Sequence, residues 1–334
     1  MEYPFVSIII PTRNEEKFIE GCIDSILNNT YPKDRIEIII IDGMSQDRTR
    51  QIIRNYLDKF NFIRFIENKY LSVPYALNKG IKESRGDIII RMDAHCIYEK
   101  DYILNCVEYL IKEKVDNVGG ILITLPFDDK FISHAIALAL SSPFGVGNSY
   151  FRISTKNKRY VDTVPFGCFK KDLFNKIGLF DTSLNKNQDD EFNSRIIKNG
   201  GKILLAPDIK AYYFARNSLR ELFQMYFQYG KYKPLVNKKT GKIITWRQLV
   251  PPAFIIILIS ILIGMVFDKI FLRFLFIILS MYFLTALCFS IDIVLKKKDY
   301  KGSILIIPAF ISMHFGYGIG YLVGLLKLLS RKTD

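Results

Sequence analysis

Short apolar runs alternate with amphipathic segments along the N-terminal part of the chain. Four of these runs predict strands, and the run at residues 6–10, short and β-branched, has the profile of a strand buried on both faces. The three segments between them carry apolar residues at helical spacing. Such alternation is typical of a mostly parallel sheet wrapped by helices, so the pattern predicts an α/β fold. The predicted strands are 6–10, 37–41, 62–66 and 87–91, and the predicted helices are 16–29, 47–60 and 75–83.

The pattern is less regular in the middle of the chain. Proline and glycine interrupt residues 143–148, and strand-like and helix-like segments follow at wider spacing. We therefore expect the globular domain to continue to residue 235 with fewer regular elements. The predicted strands are 117–124 and 203–205, the predicted helices are 132–140 and 219–232, and a strand followed by a helix is expected within 167–181.

The last third of the chain is dominated by three apolar runs. Each is long enough to cross a bilayer, which needs about 20 apolar residues. A buried helical core is the alternative, but little polar sequence remains to cover one. We therefore predict a basic juxtamembrane segment at 236–248, transmembrane helices within 249–326 and a tail at 327–334. The runs themselves are Leu249–Phe267, Phe271–Leu295 and Ile304–Leu326.

Basic residues flank these runs and predict their orientation. Lysine and arginine are enriched in cytoplasmic loops, so the segments before the first run and between the second and third are expected in the cytoplasm. No signal peptide is visible at the N-terminus, so the globular domain is expected on the same side of a multi-pass plasma-membrane protein. With three spans the basic tail would lie outside the cell, which conflicts with the enrichment of lysine and arginine on the cytoplasmic side. The residues concerned are Lys238, Lys239, Lys242 and Arg247, then Lys296, Lys297, Lys298 and Lys301, and in the tail Lys327, Arg331 and Lys332.

The amino-acid composition predicts an anionic partner and a reducing compartment. The net charge of +14 and the isoelectric point near 9.4 favour an anionic partner such as acidic lipid or a phosphorylated substrate. Nucleic acid is not expected, because the basic residues cluster near the apolar runs and no recognition motif is present. The five cysteines form no CxxC pair, which is typical of reduced core residues in the cytosol.

Polar residues follow three of the predicted strands directly. Ligands of such sheets bind at the C-terminal ends of the strands, where Thr12–Asn14, Asp42–Gly43 and Asp93–His95 all fall. Asp93 and His95 are two positions apart in extended chain, so both side chains can reach one divalent ion. Replacing one carboxylate by an imidazole shifts the preference from Mg²⁺ towards Mn²⁺. A satisfied polar pair at the start of a loop is the alternative.

Four segments together resemble the motifs of family 2 glycosyltransferases with the GT-A fold. Val6–Glu16, Glu37–Thr49 and Gly86–His95 are similar in order and spacing to the three N-terminal motifs, and Gln188–Arg195 is similar to the catalytic acidic motif. The closer resemblance is to membrane-anchored enzymes of succinoglycan-type exopolysaccharide synthesis, over about residues 5–235. The set is specific, although each motif alone is weak.

The resemblance implies a nucleotide-sugar site at these strand ends. Asp42 matches the residue that binds the base, and a helix N-terminus with Arg13 can face the pyrophosphate. Alternatives are that Asn14 caps the helix, that Asp42 is a turn acid, and that Ser45 and Asp47 cap the next helix. Asp93 and His95 match the metal motif, in a variant with His in place of the last acid. The implied donor contacts are Pro11, Thr12, Arg13, Asn14, Glu15, Asp42, Arg91 and Asp93.

The resemblance also implies a general base. Transfer with inversion needs a carboxylate that takes the acceptor's hydroxyl proton opposite the leaving group. The family pattern has an acidic pair here, but its first member is Gln188, which leaves Asp189 as the better match. Asp190 is the alternative base, since one position of misalignment exchanges the two. A solvated acidic helix start would be the structural explanation.

Further positions suggest contacts with the acceptor or the diphosphate. Residues 228–232 fall where processive relatives carry a QxxRW motif, with Lys231 for the Arg and Tyr232 for the Trp, which argues against processivity. The possible contacts are Gly167, Gln228, Lys231 and Tyr232. Lys231 and Arg216 could instead be ordinary cations beside a membrane. Asp292 and His314, the strongly polar residues well inside the apolar runs, are left unassigned.

The expected activity is inverting, metal-dependent transfer of a sugar from a UDP-sugar, with UDP-glucose the donor suggested by the resemblance. The acceptor is expected to be a polyprenyl-diphosphate-linked saccharide at the membrane lipid surface. Alternatives are a processive polysaccharide synthase, a polyprenyl-phosphate sugar synthase and a silent membrane scaffold that only binds nucleotide.

Overall fold

The computed structural model describes residues 3–153, 155–241, 243 and 245–330. Its described residues form two compact units. The first is drawn from segments 1–123 and 154–213, and the second from segments 124–153 and 214–334. The predicted boundary at residue 235 falls inside a long helix of the second unit. Lys242, Arg331 and Lys332, which the orientation argument used, lie outside the described residues.

Nine strands are present in the described chain: β1 Val6–Thr12, β2 Ile36–Asp42, β3 Ile63–Glu67, β4 Ile88–Arg91, β5 Cys96–Tyr98, β6 Asn117–Leu125, β7 Arg159–Tyr160, β8 Cys168–Lys170 and β9 Ile203–Phe214. The first unit has the helices α1 Ile19–Leu27, α2 Thr49–Leu57, α3 Val73–Glu83, α4 Tyr102–Lys112, α8 Asp172–Ile177 and α9 Gln188–Lys198. The second has α5 Phe131–Ala139, α6 Pro143–Val146, α7 Tyr150–Ile153, α10 Leu219–Thr240, α11 Val250–Gly264, α12 Ile270–Lys297 and α13 Ile306–Ser330.

The strands form one sheet in the order β3-β2-β1-β4-β8-β6-β9-β5, with β7 paired to β9. The predicted α/β fold is confirmed. The prediction of a mostly parallel sheet holds only for β1 to β4, because β8 runs antiparallel to both β4 and β6, and β9 antiparallel to β5 and β7. This reversal has a consequence for the site. The Arg91 N–H donates to the carbonyl of Gly167 (3.1 Å), which brings the start of β8 to the end of β4.

The register of the parallel strands aligns their polar C-terminal ends. Thr12 lies opposite Asp42, and Asp42 lies opposite Glu67. The residues before them are fully buried isoleucines such as Ile8 and Ile40, which hold the sheet in the core. Because a one-residue slip would turn every side chain to the other face, this core sets the register and therefore the position of the strand ends.

Two elements are longer than predicted. β9 extends from residue 203 to 214 although Pro207 lies within it, and α10 extends to Thr240 although Pro234 lies within it. Proline lacks a backbone donor and ordinarily ends such elements. The predicted ends, at residues 205 and 232, both lie two residues before these prolines. α10 packs closely on α13: a Cβ on Gly320 would lie 2.1 Å from the Phe227 carbonyl oxygen. Helices in such backbone contact need small residues at the seam.

Three helical segments of the second unit are long and apolar enough to cross a membrane. They are Trp246–Gly264, Ile270–Lys297 and Ser303–Ser330, close to the three predicted runs. Large apolar side chains on them face outward, with Phe276 73% and Leu326 67% exposed. Exposed apolar surface on this scale is expected of helices in lipid.

The two unassigned polar residues in these helices have local partners. His314 Nε2 lies 2.8 Å from the Phe144 carbonyl oxygen, and its Nδ1 lies 2.9 Å from the Tyr282 hydroxyl. Both ring nitrogens are therefore engaged, and the imidazole ties α13 to α12 and α6. Asp292 accepts a hydrogen bond from Lys296 (2.8 Å) one turn further along α12. These contacts explain both residues as structural.

A buried carboxylate lies near the N-terminal end of β2, away from the C-terminal strand ends. Glu37 of β2 has no exposed side-chain surface and contacts Arg64 and Arg85 (3.2 Å each), and it accepts hydrogen bonds from the Ser7 hydroxyl and the Arg85 N–H (2.6 Å each). Burial raises the pKa of Glu37, but these hydrogen bonds and charges outweigh it and hold that pKa below its usual range. A depressed pKa adds stability that is present above the unfolded value, about 4.3, and is lost as the pH falls through the folded value.

We expect Glu37→Gln to lower the free energy of unfolding by about 2 kcal/mol near pH 7, because hydrogen bonds to a buried charge are lost. The deficit should shrink as the pH falls below the unfolded value of about 4.3, and it should vanish once the pH is below the depressed pKa of the folded carboxylate, which is then protonated too. Urea unfolding followed by circular dichroism measures both. Glu83→Gln is the control, because Glu83 contacts the same Arg64 but is 51% exposed. A Glu83 variant as unstable as the Glu37 variant would contradict the assignment.

Candidate active site

The loops after β1 and β2 are joined by hydrogen bonds between backbone and side chains. The Asn14 N–H donates to Ser45 Oγ (2.9 Å), the Gln46 N–H donates to Asn14 Oδ1 (2.9 Å), and the Glu15 N–H donates to Thr49 Oγ1 (2.8 Å). Asn14 has a φ of 54°, a left-handed conformation that Asn adopts more readily than most residues. The two loops thus hold each other in shape.

This arrangement corrects three local expectations. The segment 11–15 does not open a helix, since Pro11 and Thr12 belong to β1 and α1 begins only at Ile19. Asn14 therefore caps no helix and instead joins the two loops. Ser45 accepts from Asn14 instead of capping α2, whereas Asp47 Oδ1 does accept the N–H of Thr49 (3.0 Å), the first residue of α2.

Asp42, the candidate base contact, is fully buried at the end of β2. Its Oδ2 accepts hydrogen bonds from Arg50 Nε (2.6 Å) and from the Ser45 N–H (3.1 Å). Arg50 Nη1 also lies 3.1 Å from Glu67 Oε1 at the end of β3. The carboxylate is therefore both a turn acid, as one alternative held, and one side of an ion pair that spans two strand ends.

Arg91 joins two of the predicted site residues. It is the last residue of β4 and is buried; its Nη2 donates to Asp93 Oδ1 (2.9 Å), and its Nη1 forms an ion pair with Asp189 Oδ2. The Asp93 backbone is fixed as well, because its N–H donates to the Tyr98 hydroxyl (2.7 Å). A single guanidinium thus links the carboxylate after β4 to the carboxylate at the start of α9.

The two carboxylates differ in the direction of their pKa shifts. At Asp93, burial raises the pKa, but the charges of Arg91 and His95 and the hydrogen bond from Arg91 outweigh it and hold the pKa below its usual range. At Asp189, burial raises the pKa, and the neighbouring charges of Asp93 and Asp190 add to it, so that Arg91 does not fully compensate. Asp93 therefore suits a permanent anion, and Asp189 suits a group that exchanges a proton.

His95 and Glu15 provide a test of whether these residues fit a divalent metal. His95 Nδ1 lies 3.2 Å from Glu15 Oε1, and the ring packs edge-on against Tyr213 at 5.3 Å. A carboxylate partner on one ring nitrogen fixes the tautomer that offers the other to a metal. Among the residues that the structure describes, no group of three His, Cys, Asp or Glu side chains is placed around one point. Asp93 and His95 offer two ligands, so an ion held by them would need further ligands from a bound diphosphate.

Arg195 attaches α9 to the loop that precedes it. Its guanidinium donates to Glu191 (2.7 Å) and to the carbonyls of Ile177 (2.5 Å) and Leu179 (2.7 Å), and it packs over the Phe192 ring at 4.9 Å. This Arg is the last position of the predicted acidic motif. Its role here is to fix the helix that carries Asp189, which is the residue of the acidic pair found against Arg91.

A small recess lies beside Arg91 and Asp189. Gly167 lines it, as expected for an acceptor-side wall; its φ is +53°, and a Cβ there would lie 2.2 Å from the Phe169 ring. Asn117 and Asn193 also line it and were not predicted. Asn117 donates to Asn193 Oδ1 (2.8 Å), while the Asn117 Oδ1 is buried without a hydrogen-bond partner among the described residues. Single asparagines carry no sequence pattern that would have identified them.

The remaining predicted contacts lie in the second unit. Gln228, Lys231 and Tyr232 are on α10, and the Lys231 carbonyl abuts Gly324 of α13, where a Cβ would lie 2.2 Å away. The structure thus groups the other site residues in the first unit, and it places these three on a helix that packs against α13.

Comparison with known proteins gives a family and close relatives. The model of glycosyl transferase family 2 matches residues 7–178. A Methanococcus voltae protein, dolichyl N-acetyl-alpha-D-glucosaminyl phosphate 3-beta-D-2,3-diacetamido-2,3-dideoxy-beta-D-glucuronosyltransferase, is 32% identical over 97% of this chain and 98% of its own length. The succinoglycan biosynthesis protein ExoA of Rhizobium meliloti is 29% identical over 67% of this chain and 67% of its own.

Solved structures agree on the fold. The mannosyltransferase PcManGT from Pyrobaculum calidifontis, in complex with GDP-Man and Mn²⁺, superposes with a TM-score of 0.63 over 96% of this chain and 88% of its own. At 17% identity this likeness concerns the fold alone. The expected GT-A-type α/β fold with C-terminal apolar helices is confirmed.

Proposed function

Because the chain belongs to glycosyl transferase family 2, we propose that it transfers a sugar with inversion from a UDP-sugar to a saccharide carried on a polyprenyl diphosphate. The observation that carries this proposal is Arg91, which links a strand-end carboxylate suited to the donor, Asp93, to a carboxylate suited to proton exchange, Asp189. The Methanococcus voltae relative, named for a dolichyl-linked sugar phosphate acceptor, supports a lipid-linked acceptor here.

The donor would bind along the strand ends of β1, β2 and β4. Segment 11–15 and Arg91 would line the nucleotide and its diphosphate, with Arg13 as a cation for the phosphates. Asp42 and its ion-pair partner Arg50 would contact the base. Binding costs little ordering of the protein, because the loops after β1 and β2 are already joined by hydrogen bonds.

Asp189 would act as the general base. The acceptor hydroxyl oxygen forms its bond to the anomeric carbon as the bond between that carbon and the UDP oxygen breaks, and the hydroxyl proton moves to Asp189. Arg91 holds the Asp189 carboxylate in place. The raised pKa of Asp189 improves its match to proton abstraction, since a carboxylate with an ordinary pKa is a weak base. Gly167 would contact the acceptor at the wall of the site.

Asp93 and His95 would hold a divalent cation, with Glu15 orienting His95. When bound, such an ion supplies charge that neutralises the departing diphosphate. The mixed oxygen and nitrogen donor set supports Mn²⁺ over Mg²⁺.

The membrane part would keep the enzyme at its lipid acceptor. We propose a transferase domain at 1–235, a basic segment at 236–248 and spans within 249–326, in the plasma membrane with the transferase domain in the cytoplasm. The three apolar helices and the lysines between the last two support this orientation. Gln228, Lys231 and Tyr232 of α10 would contact the acceptor or its diphosphate.

Membranes containing the full-length protein, incubated with a panel of UDP-sugars and a lipid-linked saccharide, test the proposal. We expect one sugar to be added per acceptor, measured by the mass of the lipid product, with UDP-glucose as the first donor to try. Long products would identify a processive synthase, and transfer to lipid phosphate alone would identify a polyprenyl-phosphate sugar synthase.

The same assay tests the metal site. We expect the wild type to be faster with Mn²⁺ than with Mg²⁺, and His95→Asp to remove or reverse that preference, because an all-carboxylate site suits Mg²⁺. His134→Asp, in the second unit, is the control and should keep the wild-type preference. A wild-type rate with Mg²⁺ equal to or above that with Mn²⁺ would count against His95 as a ligand.

A further inference from the structure

Arg50 of α2 bridges the ends of two neighbouring strands. Its Nε contacts Asp42 Oδ2 (2.6 Å) at the end of β2, and its Nη1 lies 3.1 Å from Glu67 Oε1 at the end of β3. Its Nη2 contacts the Met44 sulfur at 3.4 Å. Asp42 and Glu67 are aligned in the strand register, so the guanidinium closes the gap between two strand ends.

Arg50 separates Asp42 from solvent. The Asp42 side chain has no exposed surface, whereas 26% of the Arg50 side chain is exposed. Asp42 also accepts the Ser45 N–H on the protein side. A ligand that approaches this strand end therefore meets the guanidinium first, and it reaches the carboxylate only if a short, charge-assisted hydrogen bond breaks.

Arg50 still has donors to offer. A guanidinium carries five N–H bonds, and the contacts to Asp42, Glu67 and Met44 engage one hydrogen on each nitrogen. Two N–H bonds, one on each terminal nitrogen, are left for a ligand. With both flanking carboxylates holding it, the plane of the guanidinium is fixed, which favours recognition of a single acceptor atom over loose attraction of a charge.

We propose that Arg50 selects the nucleobase of the donor by donating to a ring carbonyl, and that Asp42 and Glu67 hold its guanidinium in the position needed for this contact. This rests on the proposed function, in which the nucleotide occupies these strand ends. The matching ligand is a base with a carbonyl oxygen at this edge, such as O4 of uracil. Cytosine carries an amino group at that position, so its N–H donors would face the N–H donors of Arg50 without an acceptor between them.

Binding of UDP, 4-thio-UDP and CDP to the full-length protein in detergent tests the proposal. Sulfur is a weak hydrogen-bond acceptor, so 4-thio-UDP weakens one contact with little change of shape. Isothermal titration calorimetry at fixed Mn²⁺ should show the wild type binding UDP about tenfold more tightly than either analogue, the effect expected when one buried donor is left unmatched.

If Arg50 is the source of the preference for UDP, substitutions of Arg50 should remove that preference. Arg50→Lys keeps the charge but loses the planar donor pair, and the Asp42→Asn/Arg50→Gln double variant removes the ion pair without leaving a buried carboxylate alone. In both, the preference for UDP should fall to within about twofold. Arg54→Gln is the control, since Arg54 is exposed one turn further along α2 and should keep the tenfold ratio.

Other outcomes overturn the proposal in distinguishable ways. If Arg50→Lys weakens all three nucleotides by the same factor, Arg50 is merely structural. If the wild type does not discriminate, or if the variants discriminate as the wild type does, the base is selected elsewhere and the proposed donor class stands. If the wild type binds none of the three nucleotides, both this inference and the proposed UDP-sugar donor are rejected.

Discussion

Asp189→Asn is expected to bind UDP as tightly as the wild type and to lose sugar transfer by about 10²–10⁴-fold, the range for loss of a general base. The amide has nearly the shape of the carboxylate and can still accept a hydrogen bond from Arg91, so the site should keep its geometry. It cannot take up the hydroxyl proton. Calorimetry with UDP and the initial rate of transfer separate the two effects.

Asp190→Asn is the matched control for this experiment. The two residues are adjacent at the start of α9, so both variants remove one negative charge from the same helix end. We expect transfer by the Asp190 variant within a few-fold of wild type. The reverse result would make Asp190 the base, and full activity in the Asp189 variant would exclude Asp189 from the chemistry.

Arg91→Met is expected to lower transfer by about 100-fold or more, because it frees Asp189 from its partner and leaves two carboxylates facing each other. Removing one partner of a fully buried ion pair costs about 3–5 kcal/mol. Here the Asp93 and Asp189 side chains are 22% and 36% exposed, so water reduces the cost. We expect a loss of about 2 kcal/mol in unfolding free energy.

The pH dependence of transfer distinguishes this role from a purely structural one. Arg91 lowers the pKa of Asp189 against the effect of burial, so its loss should raise that pKa further. A base must be deprotonated to act, and the acidic limb of the rate profile should therefore move to higher pH in Arg91→Met and less so in Arg91→Lys. Arg54→Met, at an exposed site, should leave the profile unchanged. An unshifted limb in the Arg91 variants would show that Arg91 does not act on the base.

The first half of the first unit could be predicted from local patterns. The strands β1, β2 and β4 are runs of buried isoleucine, and each is followed within a few residues by the polar groups that mark its end. Because hydrophobic periodicity depends only on neighbouring residues, it identified these strands and the helices between them. It missed β5 and α4, which lie between two predicted strands and have no clear boundaries of their own.

The site was only partly predictable for the same reason. Asp93 and His95 are near neighbours in sequence, so a motif could identify both, but the expected extended chain between them is a turn at residues 94–95 in the structure. The pairing of Arg91 with Asp189 depends on β8 reversing beside β4 and on Arg195 fixing α9, and neither leaves a local signature. The burial of Asp42 beneath Arg50 likewise arises from tertiary packing, which a motif position cannot report.

The hydrogen bonds that join the loops after β1 and β2 bear on how the enzyme could be redesigned. Asn14 and Glu15 take their backbone conformation from Ser45 and Thr49, and Gln46 in turn depends on Asn14. The conformation of each loop depends on hydrogen bonds from the other. Grafting either loop alone from a relative would therefore leave hydrogen-bond donors and acceptors of the other loop unmatched. If the donor binds at these loops as proposed, a change of donor would require the exchange of both loops together.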